Sequence, residues 1–241
     1  MKAMTVFEDI KELLLPRSCV MCGERLTKNE HWLCCNCLRQ LDLVKIHDVE
    51  DNPIQRLFLG QIPIERAASY FFHEGEKTRT LLHRLKYFDQ PDIGVYLAHL
   101  MAEDLLKKDF FDGIDVMIPM PLHWKRLWKR GYNQSRYICM GLKEMTDIPI
   151  DSGIVRRIVN NPTQTRLYTS ERRMNVEGIF RLIHPERIRG RHILLVDDVI
   201  TTGATTMECA RELMKAGDVR ISIVSLSYAG QRFIQTANDF T

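Results

Sequence analysis

At 241 residues, with 45% hydrophobic and 27% charged residues, the chain has room for one large domain, or a medium domain with a small appendage. A formal net charge of +3 excludes a whole-molecule pull on nucleic acid, so any such contact has to come from local patches. No run approaches the roughly eighteen apolar residues of a spanning helix, and Glu8, Asp9, Lys11 and Glu12 break the core a signal peptide needs, so cytoplasm is the expected compartment.

Met4, Phe7, Ile10 and Leu14 have the spacing of a short amphipathic helix. Next come Cys19-x₂-Cys22 and Cys34-x₂-Cys37, two knuckles that each offer a pair of thiolates on a tight turn. Four thiolates suit a closed, structural Zn²⁺ site; disulfides are the alternative, disfavoured in a cytosolic chain. Cys35 is the odd cysteine and could replace Cys34 only with poorer spacing. So small a segment buries too little to fold alone, and metal would supply its folding energy. This predicts a zinc module over 1–45, a linker over 46–65 carrying Pro53, Gly60 and Pro63, and a main domain over 66–241.

In the main domain, Ala67 to Phe72 reads as a strand, and Thr78 to Tyr87 and Leu97 to Leu106 as helices. Lys86, near a helix end, is expected to complement the dipole rather than reach a ligand. Asp115 to Pro119 is a second buried strand. The stretch from Pro121 to Ser135 then carries Lys125, Arg126, Lys129 and Arg130 without an acid, interleaved with Trp124, Trp128 and Tyr132. Such a mixture suits single-stranded nucleic acid or a pyrophosphate; a short helix with a solvated basic face and a tryptophan packed beneath it is the other reading. Cys139 and Cys209 fall on predicted helices as small core residues.

Gly153 to Val159 is strand-like, and the loop after it holds Arg166, Arg172 and Arg173, either facing an anionic ligand or forming an exposed basic hairpin. The run from Ile193 to Val196 is the pattern of a strand buried on both faces, with Asp197 and Asp198 at its carboxyl end. Thr201, Thr202, Gly203, Ala204 and Thr205 form a hydroxyl-rich turn into a helix that stops near Gly217, and Val219 to Tyr228 is a further strand. Ligands of open α/β sheets bind beyond strand carboxyl ends. Glycine allows close backbone approach, the first helical N–H groups attract phosphate, and vicinal ribose hydroxyls are good donors to paired carboxylates. The ligand expected here is a phosphorylated sugar.

Ile193 to Thr205 resembles the signature of type I phosphoribosyltransferases for 5-phosphoribosyl 1-pyrophosphate (PRPP). There the acidic pair takes the ribose hydroxyls and the threonine-rich loop the 5′-phosphate. The resemblance narrows to the ComF (ComFC) family on three motifs in order: the four-cysteine finger, Pro119-Met-Pro121 with Arg126 and Arg130-Gly-Tyr-Asn133-Gln134, and the late acidic–threonine loop. Gln164, Thr165, Leu167, Arg172 or Arg173, and Asn175 form another ComF-like piece, resembling in position the loop that closes over PRPP. The resemblance implies a type I phosphoribosyltransferase-like parallel sheet flanked by helices, with Mg²⁺ and PRPP held by the loop together with Arg126, Arg130, Asn133 and Gln134. Two activities fit. One is phosphoribosyl transfer to an acceptor. The other is a binding module for single-stranded DNA in natural transformation, beside a DNA-translocating helicase, using the zinc finger and the basic–aromatic stretch.

Overall fold

Four of the apolar runs become four strands of one sheet. In the computed structural model these are β1 (Ala67–Phe72), β2 (Val116–Pro119), β5 (His192–Ile200) and β6 (Arg220–Tyr228), in the order β1-β6-β5-β2 with every pairing parallel. The described residues are 17–44, 52–73, 75–87, 90–160 and 178–230. The helix expected from Met4 to Leu14, and the loop residues Gln164, Thr165, Arg166, Leu167, Arg172, Arg173 and Asn175, lie outside them.

Both faces of the sheet are covered, as continuous apolar strands require. On one face, Leu194, Val196, Val224 and Leu226 pack against α3 (Glu76–Tyr87), α4 (Asp92–Leu106) and α6 (Gln134–Thr146). A Cβ on Gly141 of α6 would lie 2.5 Å from the Val95 carbonyl oxygen, so glycine is what lets α6 approach α4 so closely. On the other face, Ile193, Leu195, Ile221 and Ile223 pack against α2 (Pro53–Phe58) and α7 (Ala204–Met214), together with a separate antiparallel pair of β3 (Val155–Arg157) and β4 (Phe180–Leu182). The parallel α/β sheet flanked by helices is therefore present. The segment 161–177 connects the two arms of this small pair rather than two strands of the main sheet.

The cysteine-rich segment, with its short helix α1 (Cys35–Arg39), shares the core of the first face. Cys19, Val20, Leu26, Leu33, Cys34, Cys37 and Leu41 form one buried cluster with Leu81, Leu82 and Leu85 of α3 and with α4. Leu43 also bridges Phe71 antiparallel, placing the chain against the β1 edge. The linker contains an element absent from the sequence reading: Asn52 accepts from the N–H groups of Ile54 and Gln55, Pro53 opens the first turn, and Ile54 and Phe58 are buried. Helix α4 likewise starts at Asp92, ahead of the expected Leu97, directly after Pro91.

Candidate functional site

β5 is the axis of the site. It remains paired with β6 as far as Ile200 opposite Tyr228, so Asp197 and Asp198 lie within the strand. The acids stand near its carboxyl end, as expected, and the ladder continues through Asp197–Ser225 and Val199–Ser227 although the apolar pattern has stopped. The Asp197 carboxylate accepts from the Asp198 N–H at 2.8 Å, and both side chains reach one cleft.

Past Ile200 the chain bends through Thr201 and Thr202 to Gly203, with φ at +72°. A Cβ there would meet Met207 Cε and Phe58 Cε1, each at 3.2 Å, so conformation and space both demand glycine. Among the described residues no side chain caps α7. Its first N–H groups, from Ala204 to Thr206, thus carry the positive end of the helix dipole uncovered.

A cleft of about 310 Å³ opens over this turn. Its walls bring together Asp197, Asp198, Thr201, Gly203, Ala204 and Thr205 with Arg126, Arg130, Asn133 and Gln134. Thr202 is not in the walls. Lys86 and Arg157, which the sequence reading did not assign, are. Lys86 Nζ sits 2.9 Å from Asp198 Oδ2, so the expectation that it merely complements its helix is corrected. Arg157 comes from the three-residue β3, where its Nε donates to the Val159 carbonyl at 3.3 Å.

The electrostatics are those of an anion seat with acids at its base. Burial pushes Asp197 up to about 8, and the neighbouring Asp198 charge adds to this. Burial works against Asp198 as well, but the Lys86 ammonium, with Arg130 and the Asp197 hydrogen bond adding to it, holds that carboxyl below the usual range. Near neutral pH the couple therefore keeps one proton, on Asp197. Burial lowers Arg126, with Arg130 contributing, and lowers Arg157, with Arg126 contributing. Half-buried cations crowded in this way are typical of a functional cleft.

Asn133 lines the cleft and also holds the local backbone. Its amide donates to the Met120 carbonyl at 3.0 Å and accepts from the Ser135 N–H at 3.1 Å, capping α6. These bonds shape the loop at the cleft wall. Gln134, only 2% exposed, accepts from Arg130 at 2.9 Å, and its Nε2 has no partner among the described residues. Ahead of them lies α5 (Trp124–Arg130), every residue of which is at least partly exposed. Trp124 is 66% and Trp128 87% exposed, so neither is packed beneath the helix. Tyr132 is not a surface platform: it is 7% exposed and its hydroxyl donates to the Leu85 carbonyl at 2.6 Å.

In the cysteine-rich segment, the sulfurs of Cys19, Cys22, Cys34 and Cys37 lie within 4.8 Å of one another. These four thiols could hold one metal ion. Tetrahedral Zn²⁺ with bonds of about 2.3 Å separates its sulfurs by about 3.8 Å, and Cys22 Sγ is 3.7 Å from Cys34 Sγ. Glu30 ties the turn at Thr27 to the second knuckle, accepting from Thr27 N–H at 2.8 Å and Cys35 N–H at 2.6 Å. These bonds hold its carboxyl down at about 2. Cys35 is exposed and outside the cluster. Among the described residues no helix is long and apolar enough to cross a membrane.

A parallel sheet, an acid pair inside one strand, an uncapped helix at its end and a four-thiol cluster together define an α/β protein with a cation-lined cleft and an amino-terminal thiol module. No family model matches the chain. Competence protein F of Haemophilus influenzae is 30% identical over 221 residues, covering 88% of this chain and 96% of that protein. The chain belongs to this ComF family of competence proteins. ComFC of Bacillus subtilis is 27% identical over 200 residues, covering 83% of this chain and 78% of its own length. DNA utilization protein YhgH of Escherichia coli K12 is 34% identical over 146 residues, 59% of this chain, and the match spans only 63% of YhgH. Among solved structures, the allosteric regulatory enzyme of purine biosynthesis is similar at TM-score 0.37 and 20% identity, covering 58% of this chain and 29% of its own. Adenine phosphoribosyltransferase from Thermoanaerobacter pseudethanolicus is similar at TM-score 0.35 and 16% identity, covering 63% and 86%.

Proposed function

We propose that the cleft binds PRPP with Mg²⁺, or a related phosphoribosyl ligand, and that the protein acts in DNA uptake during natural transformation. The observation that carries the ligand is the meeting, in one cleft, of paired carboxylates, the uncovered N-terminus of α7 and four cations. The 5-phosphate fits the amides of Ala204 to Thr206 and the Thr201 and Thr205 hydroxyls. Asp197 and Asp198 accept from the ribose hydroxyls, while Arg126, Arg130 and Gln134 face the pyrophosphate. Mg²⁺, bound together with the ligand, would offset the negative charge of the pyrophosphate. The relatives' names, competence protein and DNA utilization protein, support the biological setting.

Titration calorimetry tests the ligand. Wild-type protein is expected to bind Mg·PRPP, and the Asp197→Asn, Asp198→Asn double variant to show no binding heat; equal affinity would refute the assignment. Pyrophosphate release from PRPP across an acceptor panel then separates a transferase from a binding module.

A second reading, compatible with the first, is favoured by α5. Two exposed tryptophans beside the exposed Lys125 and Lys129 offer stacking and charge to a single DNA strand, which a translocating helicase could deliver. Base stacking contributes about 1–3 kcal/mol per base. The Trp124→Ala, Trp128→Ala variant is accordingly expected to weaken oligo-dT binding by roughly tenfold or more, read by fluorescence anisotropy, and to leave Mg·PRPP affinity intact. Unchanged DNA affinity would rule out the α5 face. Zn²⁺ in the four-cysteine site is structural in both readings.

A further inference from the structure

The last turn of α3 is held at three consecutive residues. The Leu85 carbonyl accepts from the buried Tyr132 hydroxyl at 2.6 Å. Lys86 reaches Asp198 at 2.9 Å, with side-chain exposures of 24% and 15% for the pair. The Tyr87 hydroxyl accepts from Arg130 at 3.4 Å, and the guanidinium lies 5.2 Å from the Tyr87 ring centroid. Arg130 is itself anchored on Gln134 at 2.9 Å. A lysine in a last helical turn normally keeps its ammonium in water. Here the segment from Arg130 to Gln134 clamps the turn, and the ammonium is drawn into the cleft.

An ammonium has three donors, and Asp198 occupies one. A carboxylate has about four acceptor positions, so Asp198 can take a ribose hydroxyl without releasing Lys86. The remaining donors of Lys86 are then next to the sugar. A neutral anomeric hydroxyl gains little from them, whereas a phosphate or pyrophosphate on C1 gains charge-assisted bonds.

The geometry points to Lys86 as a specificity-determining residue of the cleft, selecting ribose 5-phosphates that carry an anionic group on C1, with Tyr132 as a positioning residue that sets its reach. The inference rests on the phosphoribosyl reading above. It adds a cation next to the sugar to Arg126, Arg130 and Gln134, which face the pyrophosphate in that reading; the threonine loop and the acid pair contact parts that ribose 5-phosphate shares with PRPP.

The test is calorimetry of Mg·PRPP and of ribose 5-phosphate against wild type, Lys86→Met, Lys86→Arg and Tyr132→Phe, with metal content and circular dichroism confirming the fold of each. Lys86→Met is expected to lose roughly 10–100-fold in PRPP affinity, the range of a hydrogen bond to a charged group, and several-fold less for ribose 5-phosphate, whose loss comes only from the Asp198 carboxylate left without its partner. Lys86→Arg should recover part of the loss, since the charge remains. Tyr132→Phe should lose about 3–10-fold for PRPP alone, as expected for one uncharged hydrogen bond acting through Lys86. If Lys86→Met weakens both ligands equally, or neither, the inference is wrong while the phosphoribosyl site stands. A folded wild type that binds neither ligand overturns both.

Discussion

Cys37→Ser is expected to release the metal and lower the melting temperature by ~15 °C or more. Structural Zn²⁺ contributes ~10–16 kcal/mol to the folding of small finger modules, as much as the whole stability of an ordinary domain. The consequence reaches beyond the cysteines. Cys19, Val20, Leu33 and Leu41 share a buried cluster with Leu81, Leu82 and Leu85. Unfolding the module would strip that side of α3, the helix that carries Lys86 into the cleft. Metal analysis should find one zinc per wild-type chain and well under one in the variant. Cys35→Ser serves as control: its thiol lies outside the cluster, so metal content and melting temperature should not change. A variant lacking zinc but melting with wild type would show that the module is not part of the cooperative unit.

The second large effect joins gain of stability to loss of binding in one substitution. The Asp197 carboxyl, ordinarily at 3.8, is pushed to about 8 by burial and by Asp198. Folding therefore takes up a proton between those values. The stability that this proton brings is complete below about pH 4 and is lost as pH rises toward 8. Asparagine has no such proton to lose. Asp197→Asn should match wild type near pH 4 and exceed it increasingly up to pH 8, with a plateau above. Each pH unit across that window costs the wild type about 1.4 kcal/mol at most. With partial solvent access, a difference of ~2–4 kcal/mol is expected at pH 8, or ~5–10 °C in melting temperature. The same variant should lose Mg·PRPP binding. In wild type, binding that uses both carboxylates as acceptors should release a proton at pH 7 and tighten as pH rises to 8. Stability curves of parallel slope for the two proteins would remove the buried-acid account.

Some of this arrangement is legible in the sequence. The cysteine spacing gives the thiol cluster, because two knuckles fix four sulfurs locally, and the fifth cysteine drops out since Cys34 is buried while Cys35 faces solvent. The run from Ile193 through Thr205 gives the strand, the glycine turn and the helix N-terminus, as each depends on neighbouring residues alone. What escapes depends on distant contacts. Lys86 looks like a surface lysine until Tyr132 and Arg130 hold its turn. Arg157 lies on the strand read at Gly153 to Val159, but only the packing of that strand beside the main sheet brings it to the cleft. Asp197 and Asp198 end the apolar pattern, yet pairing to β6 carries the strand past them. Helix α2 is a different matter, since Asn52 before Pro53 is a helix-start signal that the linker composition obscured.

The central claim is that the start of α7 holds a sugar phosphate above the acid pair. Its most direct measurement is a crystal structure of the protein soaked with Mg·PRPP. The 5-phosphate is predicted at the amides of Ala204, Thr205 and Thr206, with the ribose hydroxyls on Asp197 and Asp198. Ordered ligand elsewhere, with this turn bare, would contradict it.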